Sequence, residues 1–596
     1  LKKKHLERRR NSEEIETEVI FLVEPNPTWL VIDGYEDEPA AFGVPPYVGF
    51  HVRYICGVLE EKNIEYEYCT IDSFRINPRT LENRLGIVIL AGAIVPGKYL
   101  RGTPISLNET REIIGQTPRD IPILCGGWAI RGWRHQGWSP LQANLFLALQ
   151  DTDATLNFYL QNNSWKHQRR TAEQWTTWAQ HGAKSKAVSN NPDLGGPLTY
   201  EVEVYQGCVR YKRGCKFCIE PKKGVPIWRS PEDIIEEVKI AHDMGVEHVR
   251  LGGMTDTYTY MADGVVELEY PVPNPEPIAK LLHGLRDDER LKILHTDNGN
   301  PSIIAENLEP SEEITRTLVE TLSDGAVLSF GLESADPNVH KENWLNCDSK
   351  QLKSAIGLIN KYGKERGERG LPKLLPGLNF IAGLNGETNN TYDINLELLR
   401  ELKSEGHMIR RVNIRQVEGE GFQEINNSAF QSFKKTVREE FDGPLLKEML
   451  PVGTILNDVW WESHEGRVRL PRHLQPEARD GSIHGKSGIT FGRQIGAYPI
   501  LVGMNYLAPL ESYSQIMVTN HGARSITGVE TNIKWESATE KQLAAIPGIS
   551  TKGAWNLVSS RAKAKAKGKT IDSIDDWFNS ANVNLPDIFD IKKILV

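Results

Sequence analysis

Three cysteines on one short segment are the residues of this chain best suited to chemistry. Cys208, Cys215 and Cys218 stand at C-x6-C-x2-C spacing. Thiolates are soft ligands that suit iron–sulfur clusters or zinc. Three protein thiolates on a four-iron cube leave one iron open to a substrate or cofactor, whereas a structural zinc site is closed by a fourth ligand. For a zinc ribbon, His242 or His248 would have to be that ligand; both fall in the following βα unit and read as ordinary helix-end or strand residues. Lys212, Arg213 and Lys216 lie among the cysteines. They are expected to lower the thiol pKa values and offset a cluster's negative charge.

The elements that must hold this loop read as a βα repeat. A strand over Glu201 to Tyr205 leads into the cysteines, and Ser230-Pro231-Glu232-Asp233 opens the next helix with a Ser cap, Pro at the first position and acids in the first turn. Strands are expected at Val246 to Leu251, Lys292 to His295, Val327 to Leu332, Gly377 to Ile381 and Arg411 to Val417. Six such steps over 199–450 imply a partial (β/α)6 barrel with its chemistry at the strand C-termini. Upstream, strands at 19–25, Glu65 to Ile71, Leu85 to Val95 and Ile121 to Leu124 alternate with helical patterns, which implies a Rossmann-like α/β domain over 17–150. Residues 1–16 read as a disordered basic leader, and the polar stretch 151–198 as a linker ending in the Asp193 to Pro197 turn. Short strands with Gly turns at 451–531 suggest a small β-barrel. Residues 536–596 return to helix around an Ile546-Pro547-Gly548-Ile549 hairpin.

Composition bounds the partners. A formal charge of −9 argues against coating nucleic acid by bulk electrostatics, so any such contact needs a local patch. One is present: from Thr551 to Ile571 there is no acidic residue, while Lys552, Arg561, Lys563, Lys565, Lys567 and Lys569 are basic. The hairpin at Gly548 would leave amides at Ser550, Thr551 and Lys552 aimed outward, a favourable seat for a phosphate. No apolar run is long enough for a membrane helix. An odd count of 7 cysteines does not suit a disulfide framework, which points to a reducing, cytoplasmic setting.

The cysteine loop resembles that of the radical S-adenosylmethionine (SAM) superfamily: it follows the first barrel strand, and aromatic Phe217 precedes the last cysteine. The usual spacing there is C-x3-C-x2-C, so three residues are extra here. Leu251-Gly252-Gly253-Met254 resembles the motif that holds the SAM amino group, with Met in place of Glu. Phe330-Gly331-Leu332-Glu333-Ser334 resembles the fourth-strand element that meets the ribose and methionine. Ile381-Ala382-Gly383-Leu384-Asn385-Gly386-Glu387 resembles the fifth-strand turn, with Asn in place of Pro. The resemblance implies a [4Fe–4S] cluster on Cys208, Cys215 and Cys218, with SAM held by Phe217, Gly252, Gly253, Met254, Glu333, Ser334, Ile381 and Gly383. It also implies one-electron cleavage of SAM to a 5′-deoxyadenosyl radical, with ferredoxin or flavodoxin as donor.

The N-terminal domain resembles both cobalamin-binding domains and the first domain of radical SAM methylthiotransferases. It has no Asp-x-His-x-x-Gly signature, so cobalamin, unsupported by any motif here, would have to bind without a protein axial ligand, an alternative that stays open. Of Cys56, Cys69 and Cys125, only Cys125 falls at a strand end matching the methylthiotransferase second cluster. Residues 451–531 resemble the RNA-binding TRAM fold, and the tail resembles a helix–hairpin–helix. The whole chain resembles a group of radical SAM proteins with C-terminal helix–hairpin–helix motifs. The expected function is radical modification of a nucleic acid, structured RNA such as tRNA, by methylthiolation or a related insertion. The rival expectation is a protein or small-molecule substrate, with the C-terminal domains used for assembly.

Overall fold

The computed structural model describes residues 26–36, 46–91, 102–135, 137–138, 142–417, 421–464, 488–586 and 591–596. The leader and the strand expected at 19–25 lie outside them. The first strand described is β1 (Thr28–Asp33), followed by β2 (Tyr47–Val48), β3 (Tyr66–Thr70), β4 (Arg84–Leu90), β5 (Ile123–Gly126) and β6 (Leu145–Leu147). Five of these form an all-parallel sheet in the order β3-β1-β4-β5-β6. Leu30, Val31, Ile32, Ile87, Val88 and Ile89 are wholly enclosed, as strands covered on both faces require. β2 leaves this sheet and pairs with the core instead, at Tyr47 against Thr199 and Val48 against Tyr200.

The segment read as a linker is folded. It forms helices Thr152–Asn162, Ala172–Ala183 and Lys186–Ser189. Trp175 and Trp178 are buried against helix Phe50–Glu61. Two glycines allow that crossing: a Cβ on Gly57 would lie 2.3 Å from the Trp178 carbonyl, and one on Gly182 2.5 Å from the Arg53 carbonyl. The polar character of 151–198 belongs partly to caps, such as the Thr171–Gln174 capping box. Composition alone hid the buried face.

The core begins with β7 (Thr199–Glu203), then a short ribbon of β8 (Tyr205–Gln206) with β9 (Ile227–Trp228) around the cysteines. β10 (His248–Gly252), β11 (Ile293–His295), β12 (Asn298–Gly299), β13 (Ala326–Glu333), β14 (Leu374–Ala382) and β15 (Arg411–Gln416) follow. They lie in two parallel sheets, β11-β10-β7-β2 and β12-β13-β14-β15, which run on from one another through Thr296 and Asp297. Helix Pro231–Asp243 starts as its sequence dictates, with Ser230 Oγ accepting from the Asp233 amide.

A closed barrel of β16 (Ile455–Ser463), β17 (Thr490–Gln494), β18 (Leu501–Met504), β19 (Tyr513–His521) and β20 (Ser525–Glu530) comes next, in the order β16-β17-β18-β20-β19. Helices Glu540–Ala545, Thr551–Ala566 and Ile574–Ala581 pack on it. Leu543, Ile546, Leu557 and Trp577 share one apolar cluster with Leu456, Val518 and Val529 of the barrel. The two C-terminal segments therefore form a single packed unit.

Candidate active site at the cysteine loop

The cysteine loop is shaped by close backbone approaches. Gly207 has φ +94°, and a Cβ there would lie 2.7 Å from the Gly224 carbonyl, which also accepts from the Cys208 amide at 3.2 Å. The Arg210 amide donates to Cys208 Sγ at 3.4 Å, and Arg210 Nη1 donates to Cys215 Sγ at 3.2 Å and to the Trp344 carbonyl at 2.9 Å. The Lys216 amide donates to the Asn343 carbonyl at 3.1 Å. Asn343 is locked in turn to the fifth-strand turn: it accepts from the Asn385 amide at 3.1 Å and donates to the Asn385 carbonyl at 2.8 Å. A proline at 385 could not give the first of these bonds. The Asn385 side chain adds a bond of its own, Nδ2 donating to the Gly421 carbonyl at 2.9 Å.

All three loop thiols are free and half-buried. Burial raises Cys208 to about 11 and both Cys215 and Cys218 to about 12, against a smaller downward pull from Arg210 on the first two. The sequence assigned that pull to Lys212, Arg213 and Lys216, and here the structure differs. Lys212 Nζ donates to the Val266 carbonyl at 2.7 Å, while Arg213 and Lys216 lie over the Trp344 ring at 5.2 and 5.1 Å. Arg210 was missed because several cations share the loop, and spacing does not say which turns inward.

The residues expected around the loop are placed as follows. Phe217 and Ile381 pack with Cys215 against Val339, Leu345 and Leu384. Gly253 has φ +65°, and a Cβ there would lie 2.7 Å from Glu203 Cγ; one on Gly252 would lie 2.2 Å from Glu201 Oε1. The Met254 side chain is buried in the core, while its carbonyl accepts from Asn298 Nδ2 at 2.9 Å. Gly383 has φ +92°, donates to Glu387 Oε2 at 2.9 Å, and has no room for a Cβ beside the Val417 carbonyl at 2.6 Å. Ser334 is buried and its hydroxyl accepts from the Asp336 amide at 3.2 Å, which closes the turn. Glu333 is the exception to ordinary backbone geometry, at φ +63°. Burial pushes its carboxyl up to about 8 against the pull of Arg210 and Arg415, and its field reaches Cys215.

The three loop thiols, with Arg210 N–H donors at two of the sulfurs, are a donor set of the kind an iron–sulfur cluster takes. Among the described residues, no three His, Cys, Asp or Glu side chains gather around one metal position. A four-iron cube instead takes its thiolates at separate corners, and N–H donors to sulfur such as those of Arg210 tune it. The histidines considered for zinc are occupied elsewhere: His242 Nδ1 meets the Val246 carbonyl at 2.6 Å and His248 Nδ1 the Leu198 carbonyl at 3.3 Å. Cys56, Cys69 and Cys125 are enclosed, and burial raises all three thiols.

At the tail, Gly548 takes φ +90° between the two helices, and a Cβ would lie 2.9 Å from Pro586 Cβ. Ser550 Oγ caps the second helix by accepting from the Gly553 amide at 3.1 Å. Ser550, Thr551, Lys552, Lys563, Lys565, Lys567 and Lys569 are exposed. Arg561 departs from this face: Nη2 donates to the Ala538 carbonyl at 2.7 Å and its guanidinium lies over Trp577 at 5.3 Å. It packs the helix pair together. Trp555, 56% exposed on the same helix, is an aromatic that the charge pattern did not flag. Among the described residues, no helix is long and apolar enough to cross a membrane.

Residues 202–399 match the family described as the Radical SAM superfamily. The protein MJ0274 of Methanocaldococcus jannaschii is 36% identical over 525 residues, covering 84% of this chain and 92% of that one. The tRNA-2-methylthio-N(6)-dimethylallyladenosine synthase of Rhodopirellula baltica is 24% identical over 226 residues, 37% of this chain and 41% of its own. Among solved structures, the radical SAM methyltransferase TsrM of Kitasatospora setae, with cobalamin and a [4Fe–4S] cluster bound, is 13% identical at a TM-score of 0.43, covering 65% of this chain and 75% of that one.

Proposed function

We propose, because this chain belongs to the family of the Methanocaldococcus jannaschii protein and carries a Radical SAM superfamily domain over residues 202–399, that it is a SAM-cleaving enzyme that modifies a structured RNA such as tRNA. The observation that carries the radical chemistry is the Cys208–Cys215–Cys218 loop with Glu333 and Ile381 gathered against it. When bound, the [4Fe–4S] cluster and SAM supply a 5′-deoxyadenosyl radical. Cys208, Cys215 and Cys218 would hold the cluster, and Arg210 would direct its donors at two of the sulfurs. Gly253 and Gly383 leave backbone open where a side chain would intrude. Glu333 offers a carboxyl to SAM, while Phe217, Leu345 and Leu384 keep water from the loop. Ferredoxin or flavodoxin would bring the electron.

The RNA reading rests on the C-terminal unit. Exposed Lys552 and Trp555 lie three positions apart on one helix, so they share a face, and Lys563 to Lys569 extend the charge. A cation beside an exposed indole suits a phosphate and a stacked base. In this reading the closed barrel is a TRAM-like module and the Gly548 hairpin a helix–hairpin–helix. Methylthiolation is the group transfer named for the synthase relatives and is carried here as the leading version. The dispersed burial of Cys56, Cys69 and Cys125 gives no support to a second, sulfur-donating cluster, so a related insertion is the other version.

Mass spectrometry of total tRNA nucleosides from a deletion strain tests the substrate. Loss of one modified nucleoside, restored by the wild-type gene but not by Cys215→Ala, is the expected result. An unchanged nucleoside profile would move the reading to a protein or small-molecule substrate.

A further inference from the structure

Alternate residues of a strand share a face, so Arg411, Asn413 and Arg415 of β15 look the same way. That way is inward. Asn413 Nδ2 donates to Asn379 Oδ1 on β14 at 2.9 Å, and Asn379 Nδ2 donates to Ser329 Oγ on β13 at 2.9 Å. Val412, between them, is buried in the apolar core on the opposite side. The inner faces of the two sheets also turn toward each other, because Tyr498 reaches Asp297 beside the third strand and Arg411 on the sixth.

The cations of this interior are not equally served. Arg250 pairs with both Glu201 and Asp297. Arg411 has no carboxylate partner among the described residues. Its guanidinium lies 4.3 Å from the Tyr498 ring centroid, and its Nε is enclosed without a hydrogen bond. Burial holds its pKa below the usual arginine range, with Arg524 and Arg415 adding repulsion against the pull of Tyr498 and Asp297. Arg415, nearer the cysteine loop, is exposed, unpaired among the described residues, and close enough to Glu333 to act on its carboxyl. Arg411 is half-buried, and because a guanidinium stays charged in proteins, one whose Nε is shut from water and which has no carboxylate partner costs free energy that an anion would offset.

We propose that Arg411 and Arg415 form a receiver for an anionic group of the substrate, a phosphate or a carboxylate, with Arg415 at the entrance and Arg411 as the deep anchor. Their Cα atoms stand about 13 Å apart along the strand, which suits a group that reaches from the cysteine loop down to Tyr498. Asn413 and Asn379 between them tie the wall rather than the ligand. The receiver does not rest on the RNA reading, since a small acid would use the same two cations.

Inorganic phosphate is the probe. Equilibrium dialysis with radiolabelled phosphate should show binding to the full chain that Arg411→Gln weakens about tenfold or more, the loss expected for charge-assisted hydrogen bonds. Arg415→Gln, at an exposed position where folding is not at stake, should also weaken it, and Lys239→Gln, exposed on helix Pro231–Asp243, should not. In iron-loaded protein, reducing the cluster should speed 31P relaxation of the bound phosphate, which places it near the loop rather than on the tail. Displacement by succinate at lower concentration than phosphate identifies a carboxylate source; resistance to succinate identifies a phosphate source. Equal phosphate binding by wild type, Arg411→Gln and Arg415→Gln overturns the receiver. The dialysis needs no cluster, so a failed iron load counts against the radical reading alone, and the receiver stands or falls on the dialysis.

Discussion

The Tyr498 hydroxyl donates to Asp297 Oδ1, and so ties the small barrel to the inner floor of the core. Asp297 also binds Arg250, and Arg250 binds Glu201 on the first core strand. The neighbouring Asn298 holds the Met254 carbonyl, at the turn where the SAM amino group is expected. Around this line the Ala497 amide donates to His295 Nδ1 at 2.9 Å, and Arg369 Nη2 donates to the Ile495 carbonyl at 2.6 Å. The barrel is therefore held to the inner floor of the core by contacts at Ile495, Ala497 and Tyr498.

Tyr498→Phe should show this. The ring would still lie beside Arg411, but Asp297 would lose a donor in a part-buried place. A cost of about 1–3 kcal/mol is expected, read as a lower denaturation midpoint. An unchanged midpoint would mean that the floor contact is incidental.

Glu333→Ala and Gly253→Ala should both weaken SAM binding while iron content stays at that of wild type. The first removes a carboxyl that no described residue engages by a hydrogen bond. The second puts a Cβ on a residue with φ +65° and within 2.7 Å of Glu203 Cγ. Equilibrium binding of SAM to reconstituted protein, with iron assayed in parallel, separates the two effects. Wild-type affinity in both variants would remove these residues from the SAM pocket.

Asp33 makes the N-terminal domain pH-sensitive. It is 3% exposed, and burial raises its carboxyl to about 6 against lowering bonds from the Tyr35 amide and the Tyr68 hydroxyl. The folded state therefore holds this proton over a range where the unfolded chain, with a pKa near 4, has released it. Stability should fall as pH rises from about 4 to about 6 and level off above, by an order of about 3 kcal/mol. Asp33→Asn can keep both contacts and should flatten that slope, with a gain in stability at pH 7. Equal slopes for wild type and variant, from urea titrations across the range, would count against it.

The sequence made the core legible where chemistry and periodicity coincide. Ser230-Pro231 marks a helix start in any context, and Cys208, Cys215 and Cys218 are conspicuous by spacing. Three things were not legible. The helices at 152–189 carry Trp175 and Trp178 inward beneath a polar exterior, and composition averages the two faces. The choice of Arg210 over Lys212, Arg213 and Lys216 depends on Trp344 and Val266, which lie far away in sequence. Arg561 has the same charge as its neighbours, and only the position of Ala538 and Trp577 turns it inward.

The shared core of the barrel and tail also decides how the RNA reading should be tested. Deleting 536–596 would strip Leu543, Leu557 and Trp577 from the cluster they form with Val518 and Val529, so lost binding could reflect a damaged barrel. Charge removal at exposed positions avoids this. Replacing Lys552, Lys563, Lys565 and Lys567 with Ala keeps good helix formers on a solvent face and leaves Arg561 in its packed place. If these lysines meet about three to four phosphates, the wild type should show a log–log salt slope of roughly −2 to −4 with RNA. The fourfold variant should bind more weakly at low salt, with a slope closer to zero, and should cleave SAM at the wild-type rate. Trp555→Ala should weaken binding without changing the slope, because stacking releases no counter-ions. Equal slopes in wild type and the lysine variant would show that the tail is not the phosphate contact, and the RNA reading would lose its main support.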